Sequence, residues 1–186
     1  MAGRTYKKAV FDLDGCILDD INAKLDSKLG AARGTVSDTM RELMVNMVYA
    51  MPHRKEFYLS LLDEKYIDND IIWVMGKMQA QGTELFIVTR NKGVDPAALS
   101  SMLARHGIHI EPQNIHIGSM GKFIDSTDVD FAVSDMTDSI PKHKSDVSLK
   151  LLRRGYNTVT QHLMSMLRKD LDIKIVTPKQ LVGEIN

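Results

Sequence analysis

Lys7-Lys8-Ala9-Val10-Phe11-Asp12-Leu13-Asp14-Gly15 is the stretch that decides the fold. Its apolar run reads as a short buried strand that ends in two carboxylates and then turns on a glycine. Asp12 and Asp14 are two residues apart, so on an extended backbone both side chains point the same way. Gly15 can take whatever backbone angles the turn needs. Two aspartates held that close in one crevice repel each other, and they bind a divalent cation or share a proton. One can then act as nucleophile and the other as acid and base. A strand followed by an acidic, solvated turn fits the same spacing.

The second half of the chain supplies the context. Glu84-Leu85-Phe86-Ile87-Val88 is a continuous apolar run of buried parallel type, ending at Thr89-Arg90-Asn91. Asp95-Pro96 opens a helix with Leu99, Met102 and Leu103 on its inner face, and Gly107 ends it. Further strands are expected at Asn114-Ile115-His116-Ile117, at Phe131-Ala132-Val133 running into Ser134-Asp135, at Asn157-Thr158-Val159 and over 173–176. Ser145-Asp146 is expected to cap a helix carrying Val147, Leu151 and Leu152 and closed by Gly155. Leu163, Met166 and Leu167 suggest another helix, and Pro178 begins a terminal helical turn. Strands alternating with helices predict an α/β architecture, a doubly wound parallel sheet with helices on both faces. Ligands of such sheets bind outside the carboxyl ends of the strands. Asp12, Asp14, Thr89 and Asp135 all stand at such ends.

Between the first two strands lies a long block, 19–81, without period-two alternation. Met40, Leu43, Met44, Met47, Val48 and Met51 recur at helical spacing, and a core face is the expected role of that stripe. Thr39 and Glu42 form a capping box at its start, and Pro52 ends it. The segment 53–66 is read as helical too. A further helix is expected over 69–81, capped by Asp68 or Asn69, with Ile71, Ile72, Met75 and Met78 inward and Gly82 closing it.

The chain has 186 residues, enough for one domain with a modest insertion. Its 24 basic and 24 acidic residues cancel, so no overall charge draws it to nucleic acid or to an anionic membrane. The single cysteine, Cys16, excludes an internal disulfide and suits a reducing compartment. No apolar run approaches the roughly 18–20 residues of a membrane helix. No signal-peptide region follows the basic N-terminus. A cytoplasmic protein with no membrane partner is expected. The six histidines share no metal-binding spacing, which argues against zinc. Lys142-His143-Lys144 and Arg153-Arg154 read as short solvated basic faces.

Phe11-Asp12-Leu13-Asp14-Gly15 resembles the first motif of the haloacid dehalogenase superfamily, an apolar strand followed by Asp-x-Asp-Gly. The later motifs follow in order: Thr89 ending a strand, Lys122, then Asp135 ending a later strand. The resemblance covers roughly 8–159. It implies phosphoryl transfer through an aspartyl-phosphate, with Asp12 attacking phosphorus and Asp14 as acid and then base. It also implies Mg²⁺ held by Asp12, the Asp14 carbonyl and Asp135, with Thr89 and Lys122 meeting phosphate charge. The second aspartate disfavours dehalogenation. Lys122 follows Gly121 in an expected loop, and Lys142 and Lys144 compete for its role. The fourth motif departs from the family: Ser134 stands where a second acid is common, and Asp138 is the expected outer metal ligand.

The resemblance makes residues 1–20 and 67–186 the core domain and 21–66 a small helical cap that selects the substrate. Asp-x-Asp-Gly, His53-Arg54-Lys55-Glu56-Phe57-Tyr58, Ile71-Ile72 and Phe86-Ile87-Val88-Thr89-Arg90 look like small nucleotidases and polynucleotide 3′-phosphatases. On that likeness Arg90 and Asn91 are candidate substrate-binding residues, and a nucleotide or nucleic-acid phosphate end is the favoured substrate. A small non-nucleotide metabolite is the alternative. Two other classes compete. A phospho-receiver uses similar residues, but its phosphorylated aspartate lies on a middle strand. A scaffold with lost catalysis is kept open by Ser134.

Overall fold

The structure is a computed structural model that describes residues 5–19, 40, 43, 64–136, 139–154, 157, 166 and 168–185. Among these, β1 is Lys8–Asp12, α1 Asn69–Ala80, β2 Glu84–Thr89, α2 Pro96–Arg105 and β3 Ile115–Ile117. Then come α3 Met120–Ser126, β4 Phe131–Ser134, β5 Ser148–Leu152, β6 Asp172–Val176 and α4 Pro178–Ile185. Short 3-10 turns cover Glu64–Tyr66 and Pro112–Asn114.

The six strands form one sheet in the order β3-β2-β1-β4-β5-β6, and every neighbouring pair is parallel. The order reverses direction between β1 and β4. That is the switch point at which open parallel sheets leave a crevice. Asp12 pairs in register with Val88 of β2, and Phe11 with Val133 of β4. Three strand ends therefore stop level with one another around the acid pair.

Apolar side chains fill both faces of the sheet. On one, Phe11, Ile87, Phe131 and Val133 pack with Ile71, Met75 and Met78 of α1, Leu99 and Leu103 of α2, and Leu181 of α4. On the other, Val10, Val88, Ala132 and Leu149 pack with Met120 and Ile124 of α3. Asp68 caps α1, its Oδ1 accepting the N–H groups of Asp70 and Ile71 at 3.0 and 3.2 Å. Asp95 caps α2 ahead of Pro96. Among the described residues no helix is long and apolar enough to cross a membrane.

Several sequence expectations are corrected. The helix expected after Ser145-Asp146 is strand β5. The four-residue spacing of Val147 and Leu151 imitates a helical face, and Ser148 and Lys150 interrupt the apolar run of the strand. Lys150 is nevertheless buried, and its Nζ lies 3.0 Å from Glu184 of α4, so a charge survives inside the sheet's cover. Asn157 is not in a strand; Thr158 and Val159 lie outside the described residues. Met40 and Leu43 are helical but about half exposed (49% and 53%), so these two members of the methionine stripe are not core. Both apolar clusters close without them. The other members of the stripe, and 53–63 of the expected helix, lie outside the described residues, as do Leu163 and Leu167; Met166 is helical.

The junctions of the 21–66 segment are described although most of the segment is not. The chain leaves the core at Leu18 and Asp19 and returns at Tyr66, Ile67 and Asp68. Asp19 N–H donates to the Tyr66 carbonyl at 2.8 Å, and Asp68 N–H to the Ile17 carbonyl at 2.9 Å. Leu18 and Ile67 form an antiparallel bridge. The exit and the return are thus fastened side by side.

Candidate active site

Asp12 is the last residue of β1 and is half-buried. Both of its carboxylate oxygens are fixed. Oδ1 accepts the N–H of Leu13 at 2.9 Å, and Oδ2 accepts the hydroxyl of Ser134 at 2.8 Å. A carboxylate oxygen can accept more than one hydrogen bond, so these contacts orient Asp12 without using up its acceptor capacity. Ser134 ends β4, so this hydrogen bond crosses the switch point. The Ser134 and Ser139 hydroxyls lie 2.6 Å apart, and Met136 N–H donates to Ser134 Oγ at 3.1 Å. Ser134 thereby organises the turn that carries Asp135.

Asp14 stands two residues past the strand end and is buried, at 6% exposure. Its Oδ2 accepts the hydroxyl of Thr89, the last residue of β2, at 2.9 Å. Asn91 N–H donates to Thr89 Oγ1 at 3.0 Å. That donor occupies the oxygen from the other side and directs the threonine proton toward Asp14. The loop that holds Asp14 is tight and apolar. Gly15 takes a φ of 75°, which a side chain would resist. Gly15 N–H donates to the Leu18 carbonyl at 2.8 Å, and Leu18 N–H to the Leu13 carbonyl at 2.9 Å. Leu13, Cys16, Ile17 and Leu18 all sink into the core. The acid pair therefore sits on a rigid loop.

Asp135 follows β4 and is fully buried, its backbone carbonyl accepting Nδ2 of Asn157 at 2.7 Å. Asp12, Asp14, Thr89 and Asp135 thus meet at the ends of three adjacent strands, as their sequence order predicts. Arg90 is half-buried beside them. Asn91 is buried and builds the loop, its Oδ1 accepting Gly93 N–H at 3.0 Å.

Lys122 lies in α3, not in a loop. Ser119 stands at the N-cap position, so Lys122 is in the first turn, and it is exposed. Lys144 is not a competitor. Its ammonium donates to the carbonyls of Thr127 and Val129 at 3.1 and 2.7 Å, ahead of β4 and so at the opposite end of the sheet. Lys142 is exposed, and its N–H is bound to Asp125. Asp138 lies outside the described residues.

Cys16 is fully buried, and its Sγ sits 3.7 Å from the Val133 carbonyl. Burial, reinforced by the charge of Asp12, pushes its thiol well above the ordinary value. An oxidation-sensitive thiol is exposed and partly ionised, and Cys16 is neither. Sequence reading also missed Arg154 and Asn157. Both are buried, and the two adjacent arginines gave only the signal of a basic cluster.

No family model matches the sequence, and no curated protein matches it. Solved structures do. A phosphoserine phosphohydrolase-like protein from Francisella tularensis subsp. tularensis SCHU S4 superposes with a TM-score of 0.52 at 13% identity, covering 96% of this chain and 99% of that one. The six-stranded parallel α/β fold is shared with that protein. A protein with unknown function from Bordetella pertussis Tohama I superposes with a TM-score of 0.48 at 13% identity, covering 94% of this chain and 100% of that one. Identity this low carries the shared α/β fold and nothing finer, so activity is argued from the side chains.

The donor set suits Mg²⁺. Asp12, the Asp14 carbonyl and Asp135 are all hard oxygen donors beside one crevice. Among the described residues no cluster of three His, Cys, Asp or Glu side chains forms a closed metal cage. Mg²⁺ needs none, because it keeps several waters and takes one or two carboxylates with substrate phosphate.

Proposed function

We propose that the protein is a Mg²⁺-dependent phosphomonoesterase that works through an aspartyl-phosphate. The observation that carries this reading is the pair of hydrogen bonds at the switch point, Ser134 to Asp12 at 2.8 Å and Thr89 to Asp14 at 2.9 Å. They hold two carboxylates in two different environments at one crevice, which is how two acids take separate roles.

An oxygen of Asp12 attacks phosphorus, and the phosphorus–oxygen bond to the leaving group breaks. Asp14 gives its proton to the departing oxygen. It then takes a proton from water as that water attacks phosphorus, which frees Asp12 and releases phosphate. Mg²⁺, held by Asp12, the Asp14 carbonyl and Asp135, would neutralise the charge that a carboxylate meets when it approaches phosphate. Thr89 holds Asp14 at rest and needs only to turn its hydroxyl to donate to a phosphoryl oxygen. Lys122 offers a mobile cation from the first turn of α3, a role that phosphoryl transfer commonly requires.

For the substrate we propose a nucleotide or nucleic-acid phosphate end. Arg90, directly after Thr89, supports this, since a guanidinium suits a second phosphate or a base. The segment 21–66 is proposed as the cap that chooses the substrate, and its adjoining junctions at Asp19 and Tyr66 fit an insertion.

The test is hydrolysis of a phosphomonoester panel with and without Mg²⁺, by wild type and Asp12→Asn. The panel holds p-nitrophenyl phosphate, sugar phosphates, 5′- and 3′-nucleotides and a 3′-phosphorylated oligonucleotide. Mg²⁺-dependent turnover that disappears in Asp12→Asn is expected. Turnover that survives Asp12→Asn overturns the mechanism, and no turnover together with no Mg²⁺ binding favours the scaffold reading.

A further inference from the structure

Arg154 follows β5, and 7% of its side chain is exposed. Among the contacts of its guanidinium, four tie separate points of the chain together. Nε donates to the Gly15 carbonyl at 2.9 Å, and Nη2 to the Cys16 carbonyl at 3.1 Å. Nη1 lies 3.3 Å from Oδ2 of Asp19, and Nη2 lies 2.9 Å from Oδ2 of Asp68. Gly15 and Cys16 are the two residues after Asp14. Asp19 is where the chain leaves the core, and Asp68 is where it returns. One side chain therefore grips the loop after the acid pair and both junctions of the 21–66 segment.

Arg154 is itself held from the fourth motif. Its N–H donates to Oδ1 of Asn157 at 2.9 Å, and Nδ2 of Asn157 donates to the carbonyls of Asp135 and Leu152 at 2.7 and 3.0 Å. A line of hydrogen bonds runs from Asp135 through Asn157 and Arg154 to Gly15. An ion pair kept for stability alone gains little over apolar packing. This one is instead spread over carbonyls and carboxylates that only a planar, five-donor fork can meet together.

We propose that Arg154 is a positioning residue that locks both junctions of the inserted segment onto the loop carrying Asp14, so that the seating of the insertion and the place of the proton donor are set together. The proposal rests on Asp14 being the acid of the phosphatase reading. Loosening the Gly15 and Cys16 carbonyls moves Asp14 and delays its proton. That delay matters for an alkoxide leaving group and hardly at all for p-nitrophenolate, which departs without a proton.

The experiment compares wild type, Arg154→Lys and Asp19→Asn. Lysine keeps the charge and loses the fork. Asp19→Asn removes one partner, whose side chain is 42% exposed, and so keeps the test open if Arg154→Lys does not fold. The kinetic readout is kcat and KM on β-glycerol phosphate and p-nitrophenyl phosphate with Mg²⁺. The second readout, independent of activity, is hydrogen exchange at the amides of Asp19 and Asp68 against those of Val10 and Ile87. Arg154→Lys is expected to lose roughly tenfold more kcat on the alkyl ester than on the aryl ester, with little change in KM. Exchange at Asp19 and Asp68 is expected to rise about tenfold over the strand amides, with a smaller effect of the same pattern in Asp19→Asn. Equal loss on both esters overturns the link to Asp14, even if exchange rises selectively. Exchange that rises no more at the junctions than in the strands overturns the clamp. If wild type hydrolyses no member of the phosphomonoester panel and binds no Mg²⁺, the phosphatase reading has failed, and exchange alone still decides the clamp.

Discussion

The hydroxyl of Ser134 donates to Oδ2 of Asp12 at 2.8 Å, across the seam where the strand order reverses. Ser134 is thus more than a missing acid. It fixes the candidate nucleophile and, through Ser139 and Met136 N–H, the turn that carries Asp135. Ser134→Ala leaves the Ser139 hydroxyl and the Met136 N–H without that partner. Removing one side of such a buried network costs roughly 1–3 kcal/mol. Urea unfolding is expected to show a loss of that size, with kcat reduced because Asp12 loses the hydroxyl that fixes its Oδ2. An unchanged unfolding midpoint would show that the hydroxyl contributes nothing at the seam.

Thr89 separates its two roles by substitution. Thr89→Ser keeps an oxygen that can accept from Asn91 N–H and donate to Asp14, so activity within a few-fold of wild type is expected. Thr89→Val keeps the shape and loses both bonds. Removing one preorganised donor from a site of this kind costs about 10²–10³ in kcat. Thr89→Val is therefore expected to fall by that factor on the best substrate of the panel. Valine performing as well as serine would leave Thr89 an ordinary strand-end residue.

Much of this could be read from the chain because local and global signals agree. At β1, β2 and β4 an apolar run is followed by a polar end, as a buried parallel strand requires. At α1 and α2 an aspartate cap, an inward stripe and a closing glycine coincide. The site follows from these strands, since polar residues at parallel strand ends converge whatever the loops do. β5 was hidden because Ser148 and Lys150 break its apolar run, and both are satisfied only by distant partners. Ser148 donates to Asp172 of β6 at 2.8 Å, and Lys150 meets Glu184 of α4. Arg154 and Asn157 were hidden for a similar reason. Their partners lie up to 139 residues away, and no spacing reports such contacts.

Cys16 gives a prediction about pH. Its thiol is raised by burial first and by the charge of Asp12 second. The unfolded chain therefore releases this proton at lower pH than the folded protein does. The stability tied to the neutral thiol is fully present below the ordinary value of 9.0 and is lost as pH rises through the raised folded value. Unfolding free energy is expected to fall in alkali at a slope of up to about 1.4 kcal/mol per pH unit from this group. Cys16→Ala should remove that part of the slope. Iodoacetamide should label the native protein far more slowly than the urea-unfolded chain. Equal slopes in the two proteins, or rapid native labelling, would contradict a buried neutral thiol.

Asp125 ties α3, which carries Lys122, to the loop after the fourth motif. Its Oδ2 accepts the N–H of Lys142 at 2.9 Å, and its Oδ1 those of His143 and Lys144 at 2.9 and 3.0 Å. Burial pulls its carboxyl upward, but these three donors outweigh it and hold the group below the usual carboxylate range. The stability that it contributes is present above the ordinary carboxylate value and is lost as pH falls through the lowered one. Asp125→Ala leaves three N–H groups without their acceptor and frees a loop with two lysines. Trypsin is expected to cut after Lys142 in the variant well before it cuts wild type near neutral pH. The variant should also lack part of wild type's loss of stability on acidification. Matching digestion patterns would mean that the loop is held by something other than this carboxylate. Arg168, which donates to the Pro141 carbonyl at 2.8 Å, would then be the next residue to remove.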